Sequence, residues 1–130
     1  MKNILAFLLL VSLSLFAEPH WIDSIDEAKL IAQKENKHIM VMLSKDACDA
    51  CWYMENIVFD DEKVKVLLDS NFIPVYLDIY QDEIPSELKY VGTPTFYFLD
   101  ASGNKLGFRV NGVKNVKDFT TIVNKILQNN

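Results

Sequence analysis

Only two cysteines and two histidines occur among the 130 residues. So few cysteines exclude the framework of several widely spaced bridges on which small exported domains rely. The two stand three positions apart, at Cys48 and Cys51, and a bridge closing so short a loop restrains little of the unfolded chain. Stability is therefore a poor reason for the pair, and reactivity a better one. No basic run is present either: 13 Lys and Arg face 18 Asp and Glu, for a net charge of −5. That balance gives no electrostatic footprint for nucleic acid and no cationic face for anionic lipid. It reads more simply as solubility. No apolar stretch reaches the roughly 20 residues that a bilayer-spanning helix needs. Internal repeats, low-complexity segments, a flavin signature and a dinucleotide fingerprint are also missing.

The first residues nevertheless carry a pattern of their own. Lys2 supplies a short positive region, Ile4 to Phe16 is apolar apart from Ser12 and Ser14, and Ala17 precedes the polar turn at Glu18-Pro19. This is the layout of a secretory signal peptide cut after Ala17. An uncleaved anchor is the alternative. The expected organisation is a signal peptide over 1–17 and one domain over 18–130, exported to the periplasm.

Along the domain, helical and extended patterns alternate. Ser24-Ile25-Asp26-Glu27 has the form of a capping box, followed by Ile25, Ala28, Ile31 and Ala32 at helical spacing. Ile39 to Leu43 is an uninterrupted apolar run, which suits a central strand covered on both faces. A loop from Ser44 to Ala47 leads into the cysteines and a helix bearing Met54, Ile57 and Val58. Asp60 or Asp61 caps its continuation through Val64, Leu67 and Leu68. Phe72 to Ile79 reads as the next strand, and a short helix is expected to begin around Pro85 or Ser86. Thr95 to Leu99 and Lys105 to Val110 read as an antiparallel pair about the turn Ala101 to Asn104. Asn115 caps a last helix whose core face is Val116, Phe119, Ile122, Val123, Ile126 and Leu127. The fold class is α/β: one mixed central sheet with helices on both faces.

Cys48-Asp49-Ala50-Cys51 falls between a strand and a helix. A cysteine at a helix N-terminus meets unpaired amides and the positive end of the helix dipole, and both favour the thiolate. Cys48 is thereby the attacking nucleophile, and Cys51, one turn on and more shielded, the resolving thiol. Three other readings compete. Covalent haem attachment needs a histidine where Trp52 stands. Zinc or copper binding needs further ligands, and His20 and His38 lie upstream without ligand-like spacing. A passive bridge is the third. Trp52 and Tyr53 line a substrate surface or pack against the sheet, whereas Met54, Phe96 and Phe98 read as core. Asp60, Asp61 and Glu62 read as capping and solvated charge. Pro94, within Gly92-Thr93-Pro94-Thr95, is either a plain strand-entry residue or a cis-proline.

The cysteine pair with Met54, the run Phe59-Asp60-Asp61, the strand Phe72 to Asp78 and Gly92-Thr93-Pro94-Thr95-Phe96 together resemble the thioredoxin superfamily, and its exported thioredoxin-related members in particular. The resemblance covers 21–130. It implies a thioredoxin-like fold and a cis Thr93–Pro94 bond packed beside the cysteines. It also implies that Thr93 and Pro94 bind an extended, cysteine-containing polypeptide. No cofactor and no metal are expected at the site. The chain departs from the family at three places. Ala47 stands where a tryptophan precedes the first cysteine. Met42, six positions ahead of Cys48, replaces a buried acid. Pro74 or Val75 replaces the accompanying lysine. The proton relay attributed to that acid does not transfer, so water or a different residue must deprotonate Cys51.

Asp49 and Ala50, between the cysteines, are the redox-tuning positions. Asp49 and nearby Asp46 disfavour a second negative charge on Cys48. The expectation is accordingly a periplasmic reductase acting on cysteine-containing exported proteins. A partner dithiol, such as a membrane-bound electron carrier, would recycle it. A disulfide-forming oxidase, an isomerase and a metal-binding module or metallochaperone are the alternatives.

Overall fold

Residues 20–130 are described by the computed structural model. The expected signal peptide and its cleavage site lie outside the described residues. Among the described residues nine elements follow in chain order: α1 (Ile25–Glu35), β1 (His38–Ser44), α2 (Asp49–Tyr53), a π-helical turn (Met54–Val58), α3 (Glu62–Asn71), β2 (Phe72–Asp78), β3 (Thr95–Leu99), β4 (Val110–Asn111) and α4 (Val116–Gln128).

The helix starts are set by the short polar side chains read from the sequence. Ser24 accepts the Glu27 amide, Asp61 those of Lys63 and Val64, and Asn115 that of Asp118. Each satisfies a donor that the first helical turn would leave unpaired. Of the two candidates before α3, Asp61 is the cap. Asn36 ends α1 in the left-handed conformation, at φ 53°.

The four strands form one mixed sheet in the order β2-β1-β3-β4. β1 and β2 are parallel, with Met42 opposite Tyr76 and Ser44 opposite Asp78. β3 runs antiparallel to β1 and to β4. Because side chains alternate along a strand, β1 feeds two cores at once. Ile39, Val41 and Leu43 join Ala28, Ala32, Val75 and Leu99 on the α1 side. Met40 and Met42 join Cys51, Met54, Phe96, Phe98 and Phe119 on the other. In the second core the Phe59 and Phe119 ring centroids are 5.4 Å apart, and those of Phe96 and Phe119 5.7 Å. Fully burying a side chain such as Phe119 stabilises the fold by roughly 1.5–3 kcal/mol.

Four features differ from the sequence reading. The short helix expected near Pro85 is not formed. The Asp78 carboxylate accepts the Tyr80 and Gln81 amides instead, Asp82 accepts that of Asp78, and Leu88 closes a turn on the Pro85 carbonyl. These local side-chain bonds compete directly with helix. The expected strand Lys105–Val110 shrinks to one bridge at Lys105 opposite Leu99 and the pair Val110–Asn111. Gly107, at φ 66°, interrupts the ladder between them. Ile22 pairs beside β2, donating to the Pro74 carbonyl and accepting from the Tyr76 amide. Finally, the helix after Cys51 widens into a π turn, closed by the Phe59 amide on the Met54 carbonyl at 2.8 Å.

Candidate active site

β1 delivers the chain to the site, and a tight loop aims the cysteines. After Ser44 the loop passes through Ala47 at φ 52°, a left-handed conformation uncommon for a residue with a Cβ. Cys48 then caps α2 with its own sulfur, which accepts the Cys51 amide at 3.1 Å. Cys48 and Cys51 are joined as a disulfide, with Cα atoms 5.2 Å apart. Their burial is unequal. Cys48 is half-buried, whereas Cys51 is 2% exposed and belongs to the core with Met42 and Met54.

The Thr93–Pro94 segment meets this pair from the far side of the sequence. Thr93 Oγ1 donates to Cys48 Sγ at 3.4 Å, and the Thr93 carbonyl oxygen lies 3.8 Å from the same sulfur. The Thr93–Pro94 peptide bond is cis, and Pro94 is buried. Several contacts hold this turn in place. The Pro94 carbonyl accepts the Gly112 amide at 2.8 Å, and the Gly92 carbonyl accepts the Thr95 hydroxyl at 2.7 Å. The Lys89 carbonyl accepts both the Tyr97 hydroxyl and the Arg109 guanidinium. On the other side, Met54 Sδ accepts the Lys114 amide at 3.3 Å, tying the segment before α4 to the cysteine helix. A cleft of about 260 Å³ opens along Val91 to Thr95, with Asn111 and Gly112 on its other wall.

The rim of the site is apolar and partly acidic. Trp52 is 59% exposed, Tyr53 37% and Val91 83%. Asp46 and Asp49 are exposed, and Ala50 is half-buried. Among the described residues, no group of three or more histidine, cysteine or acidic side chains is placed to hold a metal ion. His38 packs instead beside Phe72, ring centroids 6.0 Å apart.

Sequence reasoning placed Cys48, Cys51, Thr93 and Pro94 as a group, and the structure brings these four together. It missed the positioning contacts of Tyr97, Arg109, Gly112 and Met54, which no local pattern announces. Glu55, in the π turn that follows, is partly buried, and that burial raises its carboxyl pKa above the ordinary value.

A disulfide-bonded C-x-x-C pair at the start of a helix, beside a cis-proline on a mixed sheet, defines a thioredoxin-like class of protein. The family model for the thioredoxin-like domain matches residues 25–127, and the chain belongs to that family. A protein named thiol:disulfide interchange protein DsbD, from Yersinia enterocolitica, is 34% identical over 94 residues, which are 68% of this chain and 16% of the relative. The chain thus spans about a sixth of that relative's length. Among solved structures, a thioredoxin from Thermus thermophilus superposes with a TM-score of 0.70 at 23% identity, covering 85% of this chain and 88% of that one. The C-terminal domain of Neisseria meningitidis DsbD in its oxidised form gives 0.65 at 14% identity, covering 85% and 100%. These likenesses establish the fold, and with the cysteine pair they support thiol–disulfide oxidoreductase chemistry.

Proposed function

We propose that this chain is an exported, periplasmic thiol–disulfide reductase that passes two electrons from the Cys48/Cys51 dithiol to disulfides in cysteine-containing proteins. The observation that carries the reading is the inequality of the two sulfurs. Cys48 Sγ is reachable and accepts hydrogen bonds from the Cys51 amide and the Thr93 hydroxyl, while Cys51 is buried behind it. Donors aimed at a sulfur stabilise its thiolate, which is the attacking species.

In the reducing direction the Cys48 thiolate attacks one sulfur of a substrate disulfide. A Cys48–substrate bond forms, the substrate disulfide breaks, and the first substrate thiol leaves with a proton. Cys51, deprotonated, then attacks Cys48 Sγ. The Cys48–Cys51 bond forms, the mixed disulfide breaks, and the second substrate thiol is released. The substrate gains the two electrons that the protein dithiol loses. A second protein dithiol, a membrane-bound carrier being one candidate, returns the site to the reduced form. Thr93 and Pro94 line the cleft along which the substrate segment lies, and Asp49 and Ala50 tune Cys48 from between the cysteines.

Acidic Asp46 and Asp49 beside Cys48 support the reducing direction, because they oppose a further negative charge there. Both are exposed, so solvent and salt weaken their effect. The two hydrogen bonds on Cys48 Sγ pull the other way and favour a second reading, a disulfide-forming oxidase. Equilibration with glutathione redox buffers decides between them. A reduction potential near thioredoxin's, about −270 mV, is expected for the reductase. One near about −120 mV would establish the oxidase instead. Absence of any reversible Cys48–Cys51 bond would remove both and bring the metal-binding module forward.

A further inference from the structure

The segment 79–94, between β2 and β3, contains no helix or strand, yet near its end it carries the hydroxyl that reaches Cys48. Burial does not fix the stretch leading up to Thr93. Tyr90, Val91 and Gly92 are exposed, and a side chain at Gly92 would start in open space. Two hydroxyls on β3 hold it instead. Thr95 and Tyr97 stand two residues apart and therefore share one face of the strand. The Thr95 hydroxyl donates to the Gly92 carbonyl at 2.7 Å, and the Tyr97 hydroxyl to the Lys89 carbonyl at 2.6 Å. Tyr97 is buried in the core on the α1 side, across the sheet from the core that contains Cys51. The Lys105 ammonium lies over its ring, 5.2 Å from the centroid, and donates to the Glu87 carbonyl. Arg109 adds a second donor to the Lys89 carbonyl, at 3.0 Å.

We propose that Tyr97 is a positioning residue for the redox site: through the Lys89 carbonyl it holds the segment that lays the Thr93 hydroxyl on Cys48 Sγ. A buried side chain on the far face of the sheet thereby sets the reactivity of the exposed sulfur. The inference rests on the oxidoreductase reading above. Its links are contiguous. Tyr97 fixes Lys89, Thr95 fixes Gly92, and the Gly112 amide holds the Pro94 carbonyl at 2.8 Å, so Thr93 is clasped from both sides. Without the Tyr97 hydroxyl, β3 pins the approach to Thr93 at one carbonyl instead of two. The freed residues gain conformational entropy, which the contact between Thr93 and Cys48 must then offset. A donor that reaches the sulfur for a smaller fraction of the time stabilises its thiolate less. Arg109 keeps its own bond to the Lys89 carbonyl, so losing the Tyr97 hydroxyl removes part of the effect and not all of it.

The test measures the Cys48 pKa in the reduced protein, from the pH dependence of its alkylation by iodoacetamide. It compares wild type, Tyr97→Phe, Thr93→Val and the double variant, with urea midpoints alongside. Tyr97→Phe keeps the ring and removes only the donor. It is expected to raise the Cys48 pKa by part of the shift of about one unit that loss of the Thr93 donor gives. In the Thr93→Val background it should raise it no further, because the group through which Tyr97 acts is gone. A Cys48 pKa unchanged by Tyr97→Phe would overturn the proposal, even with a lowered urea midpoint, since a merely structural bond gives that result. An equal shift in both backgrounds would overturn it as well. Should Tyr97→Phe not fold, Arg109→Met removes the other donor to the same carbonyl and faces the same two comparisons. Failure of Cys51→Ser to trap any mixed disulfide would overturn the oxidoreductase reading and leave these titrations standing.

Discussion

Thr93 Oγ1 stands 3.4 Å from Cys48 Sγ as a hydrogen-bond donor, across a separation of 45 residues in the chain. The contact puts a hydroxyl on the one sulfur that reaches solvent. A hydrogen bond to a charged group contributes about 1.5–3 kcal/mol, and one pKa unit corresponds to about 1.36 kcal/mol. Thr93→Val keeps the branched shape and removes the donor. It is expected to raise the Cys48 pKa by about one unit and to make the dithiol more reducing. Thr93→Ser should retain most of the wild-type value. Titration of the thiolate by ultraviolet absorbance checks both, and a Thr93→Val curve that overlays wild type would refute the contact's role.

Asp49 is proposed to tune Cys48 through its charge. Placing an imidazole there removes one negative neighbour and supplies, below neutral pH, a positive one. Asp49→His is expected to lower the Cys48 pKa and shift the reduction potential toward oxidising values. Because Asp49 is exposed, the shift should shrink as salt is added. Potentials measured in glutathione buffers at two ionic strengths provide the check. An unchanged potential at low salt would remove Asp49 from the tuning positions.

The parts of this molecule that follow from local pattern were legible in the sequence, and the parts that follow from distant contacts were not. Ile39 to Leu43 announced a central strand because every residue is apolar, and both faces of β1 are in fact covered. Val116 to Leu127 announced α4, with Phe119, Val123 and Ile126 buried. Gln81 to Tyr90 misled, since helix propensity there loses to the Asp78 carboxylate, whose bonds depend on how β2 ends. Ile57 was placed on the apolar side of its helix but is 46% exposed, because the π turn rotates the segment away from an ideal α spacing. In the site, spacing found Cys48 and Cys51. The Thr93 hydroxyl contact and the Lys114 amide on Met54 needed the fold itself.

The two cores carry the stability, and the rim of the site does not. Phe119 is fully buried, its ring tilted against Phe59 and edge-on to Phe96. Phe119→Ala is expected to destabilise by about 3–5 kcal/mol through lost burial and an unfilled cavity. Trp52→Ala, at an exposed position beside the disulfide, should change stability by no more than about 0.5 kcal/mol. Urea unfolding of the two variants compares them directly. A large loss at Trp52 would mean that its ring supports the fold instead of facing a partner.

Glu55 also makes a prediction that is independent of any redox chemistry. Burial raises its folded-state pKa above that of the unfolded chain, so the folded protein holds the proton more tightly. The contribution favours folding below the unfolded-state pKa and is lost as pH rises through the folded-state value. Glu55→Gln removes the titration altogether. Its stability relative to wild type should therefore increase from acid to neutral pH, rising through the carboxylate range and then levelling. Urea midpoints at a series of pH values give the curve. A difference between the two proteins that stays flat with pH would show that Glu55 is as well solvated folded as unfolded.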